Sequence, residues 1–436
     1  MPGMLALVLA LLLQTGYTAC CLIRKSSQPR IKHALRFLAL GLLLALLGLR
    51  VFEWGFRWIP LLVALTLLSA ASLVSILRRA PEKPFRPGRA VLSGVLGAAL
   101  LFAAILPAVI FPQYADPATT GPYAVAAWDA TYVDESRVET YSNTGKHRKV
   151  NVTFWYPEGA EGKYPLIVFS HGFCGIRSSN HSTFRELASH GYVVCSIDHP
   201  YHSLVTADAG GRRTLIDRGY IAEYASLSGS LSDDLKTFQK WMGIRVADMS
   251  FVIDTVLAGV GGVYDLVDPA RIGAFGHSLG GAAAAGLPRV RADIGAVVNL
   301  DGPLMCELTG VDGEQFTVNP LPYPAPILQI YSEFLYVNGI EAGDPEYLEN
   351  RQAAATAPAS FELVFEGSQH SSLTDLPLYS PMLARLLDSG RVADVGPYEY
   401  IEAMNRTVLS FFDCYLKGGG AFRPSFPGEA PTPVAG

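Results

Sequence analysis

The chain has 436 residues, enough for one large domain and an appendage. Half of these residues are hydrophobic, only 17% are charged and the net charge is a mild −5. No basic patch with interleaved aromatic residues of the kind that binds nucleic acid occurs. Six cysteines without C-x-x-C spacing exclude the common zinc and redox motifs. We therefore expect no nucleic-acid partner, no metal and no cofactor.

The hydrophobic excess is concentrated before about residue 112, in four apolar segments. These segments are Met4–Ile23, Phe37–Phe52, Trp58–Leu77 and Ala90–Phe111. Since ~20 apolar residues cross a bilayer, the first, third and fourth are long enough and the second is marginal. We predict a transmembrane helical region over residues 1–112, joined by a Pro- and Gly-containing linker over 113–132 to a C-terminal domain. The lipid bilayer is then a predicted partner.

Charge is distributed unevenly between the loops of this region. The two basic loops carry Arg24, Lys25, Arg30, Lys32 and Arg36, and Arg78, Arg79, Lys83, Arg86 and Arg89. The positive-inside rule places both loops in the cytoplasm and everything after Phe111 outside it. A cleaved signal peptide fits less well, because the first segment lacks a basic start. The sequence thus predicts an integral protein of the plasma or inner membrane with an extracytoplasmic domain.

Residues 133–418 alternate between strand and helix patterns. A hairpin is predicted over Val133–Tyr141 and Arg148–Tyr156, followed by buried strands at Pro165–Ser170, Tyr192–Ile197, Arg271–Gly276, Ile294–Leu300, Ile327–Tyr331 and Phe361–Phe365. Helices are predicted at Phe184–His190, Val246–Leu257, Leu279–Gly286 and Tyr398–Leu416. This alternation is typical of an α/β fold with a doubly wound, mostly parallel sheet. Residues 202–241 are interpreted as a lid-like insertion and 419–436 as a disordered tail.

The segment Gly276-His277-Ser278-Leu279-Gly280 lies between a predicted strand and a predicted helix. In that context, G-x-S-x-G forms a sharp turn that exposes the serine hydroxyl. Gly276 and Gly280 are needed because side chains there would collide with the neighbouring strand and helix. The pattern predicts that Ser278 is a catalytic nucleophile.

Candidate partners for Ser278 come directly after the ends of other predicted strands, where parallel sheets bind ligands. His370 is the predicted base, and the order serine, acid, histidine matches this topology. Asp301 is the preferred acid, with Glu333 as the alternative. Asp375 is interpreted as a solvent-facing or turn-capping carboxylate.

An oxyanion needs preorganised N–H donors close to the nucleophile. Leu279, directly after Ser278, supplies one, and the turn His171-Gly172-Phe173 supplies another from Phe173. The remaining histidines are given structural or surface roles, and a metal site at the His199-x-x-His202 pair is disfavoured. A disulfide between Cys174 and Cys306 is left open.

These residues together resemble the α/β-hydrolase superfamily and, within it, the plasma-type platelet-activating-factor acetylhydrolase family. The resemblance lies in Phe169-Ser170-His171-Gly172, Gly276-His277-Ser278-Leu279-Gly280-Gly281, Leu300-Asp301, Ser332-Glu333 and Gly367-Ser368-Gln369-His370. It implies Ser278 as nucleophile, Asp301 as acid, His370 as base, and Phe173 and Leu279 as oxyanion donors. The family's secreted members lack the N-terminal apolar segments.

The function predicted is a membrane-anchored serine hydrolase that cleaves carboxylic esters, with lipid or phospholipid acyl esters among the candidate substrates, through an acyl-enzyme intermediate. An acyltransferase would use the same residues. A non-catalytic, sensor-like domain is the third alternative, although the complete set of catalytic residue types argues against it.

Overall fold

The structure is a computed structural model that describes residues 2–79, 84–227 and 230–427. The chain forms two compact units. The helical unit comprises Met1–Ala115 with the later segment Leu378–Ala384, and the sheet unit comprises Asp116–Pro377 with Arg385–Gly436.

Four long helices build the helical unit: α1 (Pro2–Ile23), α2 (Pro29–Gly48), α3 (Ile59–Leu77) and α4 (Pro87–Ile110). All four are long and apolar enough to cross a membrane. Helix α1 packs along α4, and α3 packs against both α2 and α4. Many of their leucines face outwards, which suits a lipid environment rather than water.

Helix α2 differs from the predicted second segment because it begins at Pro29 rather than Phe37. Proline favours the first turn of a helix, since its missing N–H would have no partner there. Arg36, predicted in a loop, therefore lies about two turns inside α2. Lys83, predicted in the second basic loop, lies outside the described residues.

The sheet unit contains one eight-stranded sheet with the strand order β1-β2-β4-β3-β7-β8-β11-β12. Its strands are β1 (Val125–Val138), β2 (His147–Pro157), β3 (Tyr164–Ser170), β4 (Val193–Asp198), β7 (Val267–His277), β8 (Ile294–Leu300), β11 (Ile327–Ser332) and β12 (Ser360–Phe365). From β4 to β12 all neighbours are parallel, while β2 runs antiparallel to β1 and β4. The predicted doubly wound, mostly parallel sheet is confirmed.

Two short antiparallel pairs lie outside the main sheet: β5 (Val205–Ala207) with β6 (Arg213–Leu215), and β9 (Leu308–Asp312) with β10 (Gln315–Val318). The helices of the unit are α5 (His181–Ser189), α6 (Arg218–Ala225), α7 (Leu231–Ala258), α8 (Leu279–Gly286), α9 (Glu333–Leu335), α10 (Leu348–Thr356), α11 (Leu376–Tyr379), α12 (Pro381–Leu387) and α13 (Pro397–Lys417). The last residues of α11 and the first of α12 belong to the helical unit.

The two faces of the sheet are covered by different helices. Val168 and Ala274 pack on one face in a core that includes residues of α7 and α8. Phe169 and Phe275 point to the opposite face, where they join residues of α5 and α13. Adjacent residues of a strand point to opposite faces, so β3 and β7 are apolar on both sides, as buried parallel strands are.

The start of the sheet unit and the predicted insertion both contain more regular structure than the sequence indicates. Strand β1 begins at Val125, inside the predicted linker 113–132, because it pairs with β2 along its length. The predicted insertion 202–241 contains the β5–β6 hairpin, α6 and the start of α7, apart from residues 228–229, which lie outside the described residues.

Residues 419–436 are predicted to be a disordered tail, but the described part, residues 419–427, makes specific contacts. The ring of Phe422 packs 4.6 Å from that of Phe361, and Thr407 Oγ1 accepts a hydrogen bond from the Ser425 N–H at 2.9 Å. Residues 419–427 therefore pack on the sheet unit, and residues 428–436 lie outside the described residues.

Candidate active site

Ser278 lies between the end of β7 and the start of α8, with φ 55° and ψ −126°. A non-glycine residue with positive φ is strained, and such strain is commonly found at functional sites. A Cβ on Gly276 would collide with the backbone of Gly280, and one on Gly280 would collide with the carbonyl of Ser170. The glycine requirement predicted for this turn therefore has a direct steric cause.

His370 and Asp301 are brought together although 69 residues separate them. The Nδ1 atom of His370 lies 2.9 Å from Oδ2 of Asp301, at the edge of the sheet where β7 and β8 end. Asp301 is fully buried, and its carboxylate also accepts hydrogen bonds from the N–H and hydroxyl of Ser332, at 2.7 and 2.6 Å. The position of Asp301 is therefore held firmly, and Nε2 is the ring nitrogen of His370 that does not contact this carboxylate.

Glu333, the alternative acid, has a different contact. Its carboxylate accepts a hydrogen bond at 2.9 Å from the N–H of Gly367, three residues before His370. Glu333 thereby holds the turn that carries the histidine. Asp375 is buried rather than solvent-facing: it accepts bonds from the N–H and hydroxyl of Ser182, at the start of α5. Of the three carboxylates, Asp301 is the one that contacts His370.

His277 supports His370 from the other side. Its Nε2 donates to the His370 carbonyl at 3.1 Å, and the two rings lie 4.5 Å apart. Burial, together with the nearby His370 ring, holds the pKa of His277 well below its ordinary value. His277 is therefore neutral, and a neutral neighbour does not oppose the transient positive charge of a catalytic imidazole.

Side-chain atoms of His277, Asp301 and His370 all lie within 4.8 Å of one another, which is close enough to hold a metal ion. Their hydrogen bonds argue against that use. Asp301 already accepts two bonds from Ser332 and lies 2.9 Å from His370 Nδ1, and His277 donates its Nε2 proton to a carbonyl. The donor set fits a hydrogen-bonded acid–base pair better than a metal site.

The turn after β3 lies directly beside the nucleophile. A Cβ on Gly172 would lie 3.2 Å from the Cβ of Ser278, so a larger residue there would crowd the site. Phe173 comes next in this turn, and Leu279 opens α8, whose first N–H groups have no partner within the helix. The structure thus brings both predicted oxyanion donors to the same edge of the sheet as Ser278.

Arg245, on α7, is a functional candidate that the sequence analysis missed. It is fully buried, and its guanidinium donates to the carbonyls of His171 at 2.5 Å and Gly172 at 3.4 Å. Among the described residues, no carboxylate forms an ion pair with it. A buried charge is costly without a partner. The carbonyls of the predicted oxyanion turn therefore serve as the acceptors of the Arg245 charge, and Arg245 in return holds this turn in place. One sequence signal exists: Arg245 directly precedes the predicted amphipathic helix.

We predict that Arg245→Met lowers kcat by roughly tenfold to hundredfold with little change in KM, because the turn loses its orientation. Methionine fills a similar volume and leaves no buried charge behind. Steady-state kinetics on a soluble ester, with the midpoint of thermal unfolding measured in parallel, tests this. Arg185→Met, which removes an arginine from the partly exposed pair with Asp116, serves as the control. An unchanged kcat in a folded Arg245→Met protein would contradict the prediction.

A second serine–histidine–aspartate arrangement lies buried beneath the oxyanion turn. Nε2 of His199 accepts from the Ser170 hydroxyl at 2.9 Å, and its Nδ1 donates to Asp248 at 2.8 Å. Burial alone would raise the pKa of Asp248, but the bidentate Arg148 guanidinium and the bond from His199 hold it well below its usual range. All four side chains are buried, so this network is structural.

The His199-x-x-His202 pair does not converge on a common point. His199 is engaged by Asp248 and Ser170, while the ring of His202 stacks on Tyr220 at 3.9 Å and 5°. The disulfide left open between Cys174 and Cys306 is absent: both are among the six free cysteines, all of which are described residues.

Buried histidines predict a loss of stability in acid. Burial lowers the pKa of His199 to about 4, against ~6.5 in an unfolded chain. Between those values the unfolded chain binds the proton and the folded chain does not, so stability falls as the pH drops from about 6.5 to about 4. For His199 the loss is about 3 kcal/mol. Burial also holds the pKa values of His171, His202 and His277 well below the ordinary value, which adds losses of the same sign.

We therefore expect a lower thermal midpoint at pH 5 than at pH 7, measured by circular dichroism. His199→Gln should reduce the difference, because glutamine cannot take up the proton in the unfolded state. A midpoint that is the same at both pH values would contradict this assignment.

Comparison with a solved structure supports the fold. The fold is similar to that of a ferulic acid esterase from Streptomyces cinnamoneus, with a TM-score of 0.55, 24% sequence identity, and coverage of 71% of this chain and 94% of that one. With its mostly parallel sheet and its serine elbow, the sheet unit has an α/β-hydrolase fold.

The more specific resemblance is to the platelet-activating factor acetylhydrolases. A profile of the family described as platelet-activating factor acetylhydrolase, isoform II, matches residues 115–209. The Cavia porcellus platelet-activating factor acetylhydrolase is 31% identical over 145 residues, 28% of this chain and 30% of that protein. A probable 1-alkyl-2-acetylglycerophosphocholine esterase from Arthroderma benhamiae is 28% identical over 162 residues, 36% of each chain. This chain therefore matches about a third of the length of these two relatives. The predicted resemblance to this family is confirmed.

Proposed function

We propose that this protein is a membrane-anchored serine hydrolase that cleaves carboxylic esters through Ser278, His370 and Asp301. The observation that carries the proposal is the 2.9 Å contact between His370 and Asp301 at the sheet edge where the strained Ser278 lies. A serine hydroxyl is a weak nucleophile unless a positioned base takes its proton. The acetylhydrolase and esterase names of the relatives support the same reaction class.

Acylation begins when Nε2 of His370 takes the Ser278 proton and Oγ attacks the ester carbonyl. Asp301 stabilises the imidazolium through its contact with Nδ1, because Ser332 holds the carboxylate in place. The developing oxyanion accepts hydrogen bonds from the N–H groups of Leu279 and Phe173. His370 then passes its proton to the leaving alcohol, and the acyl group stays on Ser278.

Deacylation repeats these roles with water as the nucleophile. His370 takes a proton from water, the hydroxide attacks the acyl carbonyl, and the proton returns to Ser278 as the acid leaves. In the described part of the chain, Ser278 and His370 are not hydrogen-bonded to each other. Catalytic hydrogen bonds often shorten only when substrate binds, so this geometry is compatible with the mechanism.

Lipid or phospholipid acyl esters are the substrates we propose within this class. Two observations support this choice: the four apolar helices could tether the domain to a bilayer, and the relatives include enzymes named for acetylated phospholipids. Aromatic rings also lie beside the oxyanion turn, where Phe173 stacks on Tyr224 at 3.9 Å. These rings and the 202–241 insertion would contact the acyl or alkyl part of a lipid.

The location we propose is the plasma or inner membrane, with the sheet unit outside the cytoplasm. The described residues of the two basic loops, 24–28 and then 78–79 with 84–86, follow α1 and α3, and the positive-inside rule assigns both loops to the cytoplasm. Reporter fusions in the first basic loop and after Phe111 test this topology. A cytoplasmic signal from the second fusion would overturn it.

A fluorophosphonate probe tests the proposed function directly, because it reacts only with an activated serine. The full-length wild type should be labelled and Ser278→Ala should not, whereas Ser250→Ala, which removes a remote hydroxyl, should be labelled like wild type. Absence of labelling in the folded wild type would overturn the proposal. A series of esters with increasing acyl length then identifies the preferred substrate.

A further inference from the structure

The helical unit contains a groove of about 380 Å³ between α2 and α4. Both helices pack on α3, which contributes Leu68 to the lining of the groove. The groove is lined by Arg36, Leu68, Arg89, Leu92, Ser93, Leu96, Gly97 and Leu100. One end therefore carries two arginines, and the remainder is mainly leucine.

The apolar part of the groove is a row of leucines on α4, long enough to contact part of an acyl chain. Leu92, Leu96 and Leu100 recur every four residues of α4 and so form one stripe along the helix. From Leu92 to Leu100 the helix rises about 12 Å. All three leucines are exposed, with Leu92 and Leu96 near 60%. Such a stripe is favourable only in contact with lipid or another apolar surface.

The arginines lie at the end of the groove closest to the basic loops. Arg36 is fixed there, because its Nη1 donates to the Leu68 carbonyl at 3.2 Å and to the Ser72 hydroxyl at 3.1 Å. Arg89 lies in the first turn of α4, where the helix dipole adds positive potential. Among the described residues, neither arginine has an ion-pair partner.

Negative charge is scarce throughout this unit. In its described residues the one carboxylate side chain is Glu53, which lies in the loop between α2 and α3, at the opposite end of the helices. An arginine within an apolar helix is costly unless it meets an acceptor, and a charged residue in such a helix often marks a site. The acceptors of Arg36 are both neutral, so an anion would add a charged acceptor for the two guanidinium groups.

We propose that the groove binds one anionic phospholipid, with its phosphate between Arg36 and Arg89 and one acyl chain along Leu92, Leu96 and Leu100. Basic pockets between transmembrane helices on the cytoplasmic side are suited to acidic headgroups. The site does not include Ser278. It rests on the proposed membrane location of the helical unit and does not require the hydrolase reaction.

Native mass spectrometry of the full-length Ser278→Ala protein tests the site without lipid turnover. The protein is purified in detergent and mixed with equal amounts of phosphatidylglycerol and phosphatidylcholine. We expect the protein to retain one molecule of phosphatidylglycerol in preference to phosphatidylcholine. Arg89→Gln should weaken its retention by roughly fivefold or more. Arg89 forms no side-chain hydrogen bond or ion pair with another described residue, so the fold should survive this change. Leu96→Trp, which fills the groove, should also reduce retention.

Arg78→Gln is the matched control, because it removes one exposed charge from the same end of the bundle but outside the groove. It should retain the lipid like the parent protein. If Arg89→Gln and Arg78→Gln lost phosphatidylglycerol retention equally, general surface charge would explain the effect and the site would be overturned. Equal retention of phosphatidylglycerol and phosphatidylcholine by the parent protein would also overturn it. Fluorophosphonate labelling of the wild type is scored separately, so failure of the hydrolase proposal and failure of this site give different results.

Discussion

Ser278→Ala is expected to lower kcat by roughly 10⁵- to 10⁶-fold, because no other group can form the acyl-enzyme. His370→Ala should have a similar effect, since the hydroxyl then has no base. The double variant should be little worse than either single one, because nucleophile and base act as a unit. Turnover of a soluble acetate ester by the full-length protein measures all three.

Stability should change little in these variants. Alanine at position 278 keeps the same strained backbone, and His370 is about one-third exposed, so neither substitution opens a large cavity. Thermal midpoints near that of the wild type would show that lost activity is not lost folding. A Ser278→Ala protein with more than a small fraction of wild-type turnover would contradict the assignment of the nucleophile.

Asp301→Asn is expected to lower kcat by about 10⁴-fold. The amide can place an N–H where the carboxylate accepted from His370, which favours the wrong imidazole tautomer and removes the charge that stabilises the imidazolium. The Ser332 N–H keeps its acceptor at Oδ1, and the Ser332 hydroxyl can rotate to accept from the amide nitrogen at the Oδ2 position, so the protein should fold. The pH dependence of kcat/KM, compared with wild type, provides a readout that a packing defect would not alter.

Glu333→Gln is the control that separates the two candidate acids. The glutamine oxygen can still accept from the Gly367 N–H, so the turn before His370 should be kept and kcat should change little. If Glu333→Gln lost as much activity as Asp301→Asn, the experiment would contradict the choice of Asp301 over Glu333 as the catalytic acid. If Asp301→Asn retained wild-type turnover, the assignment would be wrong.

Much of the fold could be predicted from local patterns. Strand β8 has the predicted bounds, Ile294–Leu300, and α13 differs from its prediction by one residue at each end. Buried parallel strands are short apolar runs, and such runs are visible in the chain without any knowledge of their neighbours. The hairpin start was less visible, because most residues of β1 are exposed or half-buried and its first residues, from Val125, lie in a segment that resembles a linker.

The chemical candidates were also accessible from the chain. In a parallel sheet all strands end at one edge, so residues directly after those ends converge whatever the loop lengths. This is why Ser278, Asp301 and His370 could be grouped before their distances were known. The same reasoning placed Glu333 in the group, and it could not distinguish a carboxylate beside His370 from one that holds the Gly367 turn.

By itself, the sequence determined the elbow, the strand-end positions of Ser278, Asp301 and His370, and the apolar character of the N-terminal helices, because each is visible in a short local segment of the chain. Only the tertiary structure decided which carboxylate meets His370, that Arg245 holds the carbonyl of His171 across 74 residues, and that Arg36 and Arg89 share one groove. Those contacts join distant segments, and their partners are selected by packing, which leaves no periodic signal in the sequence.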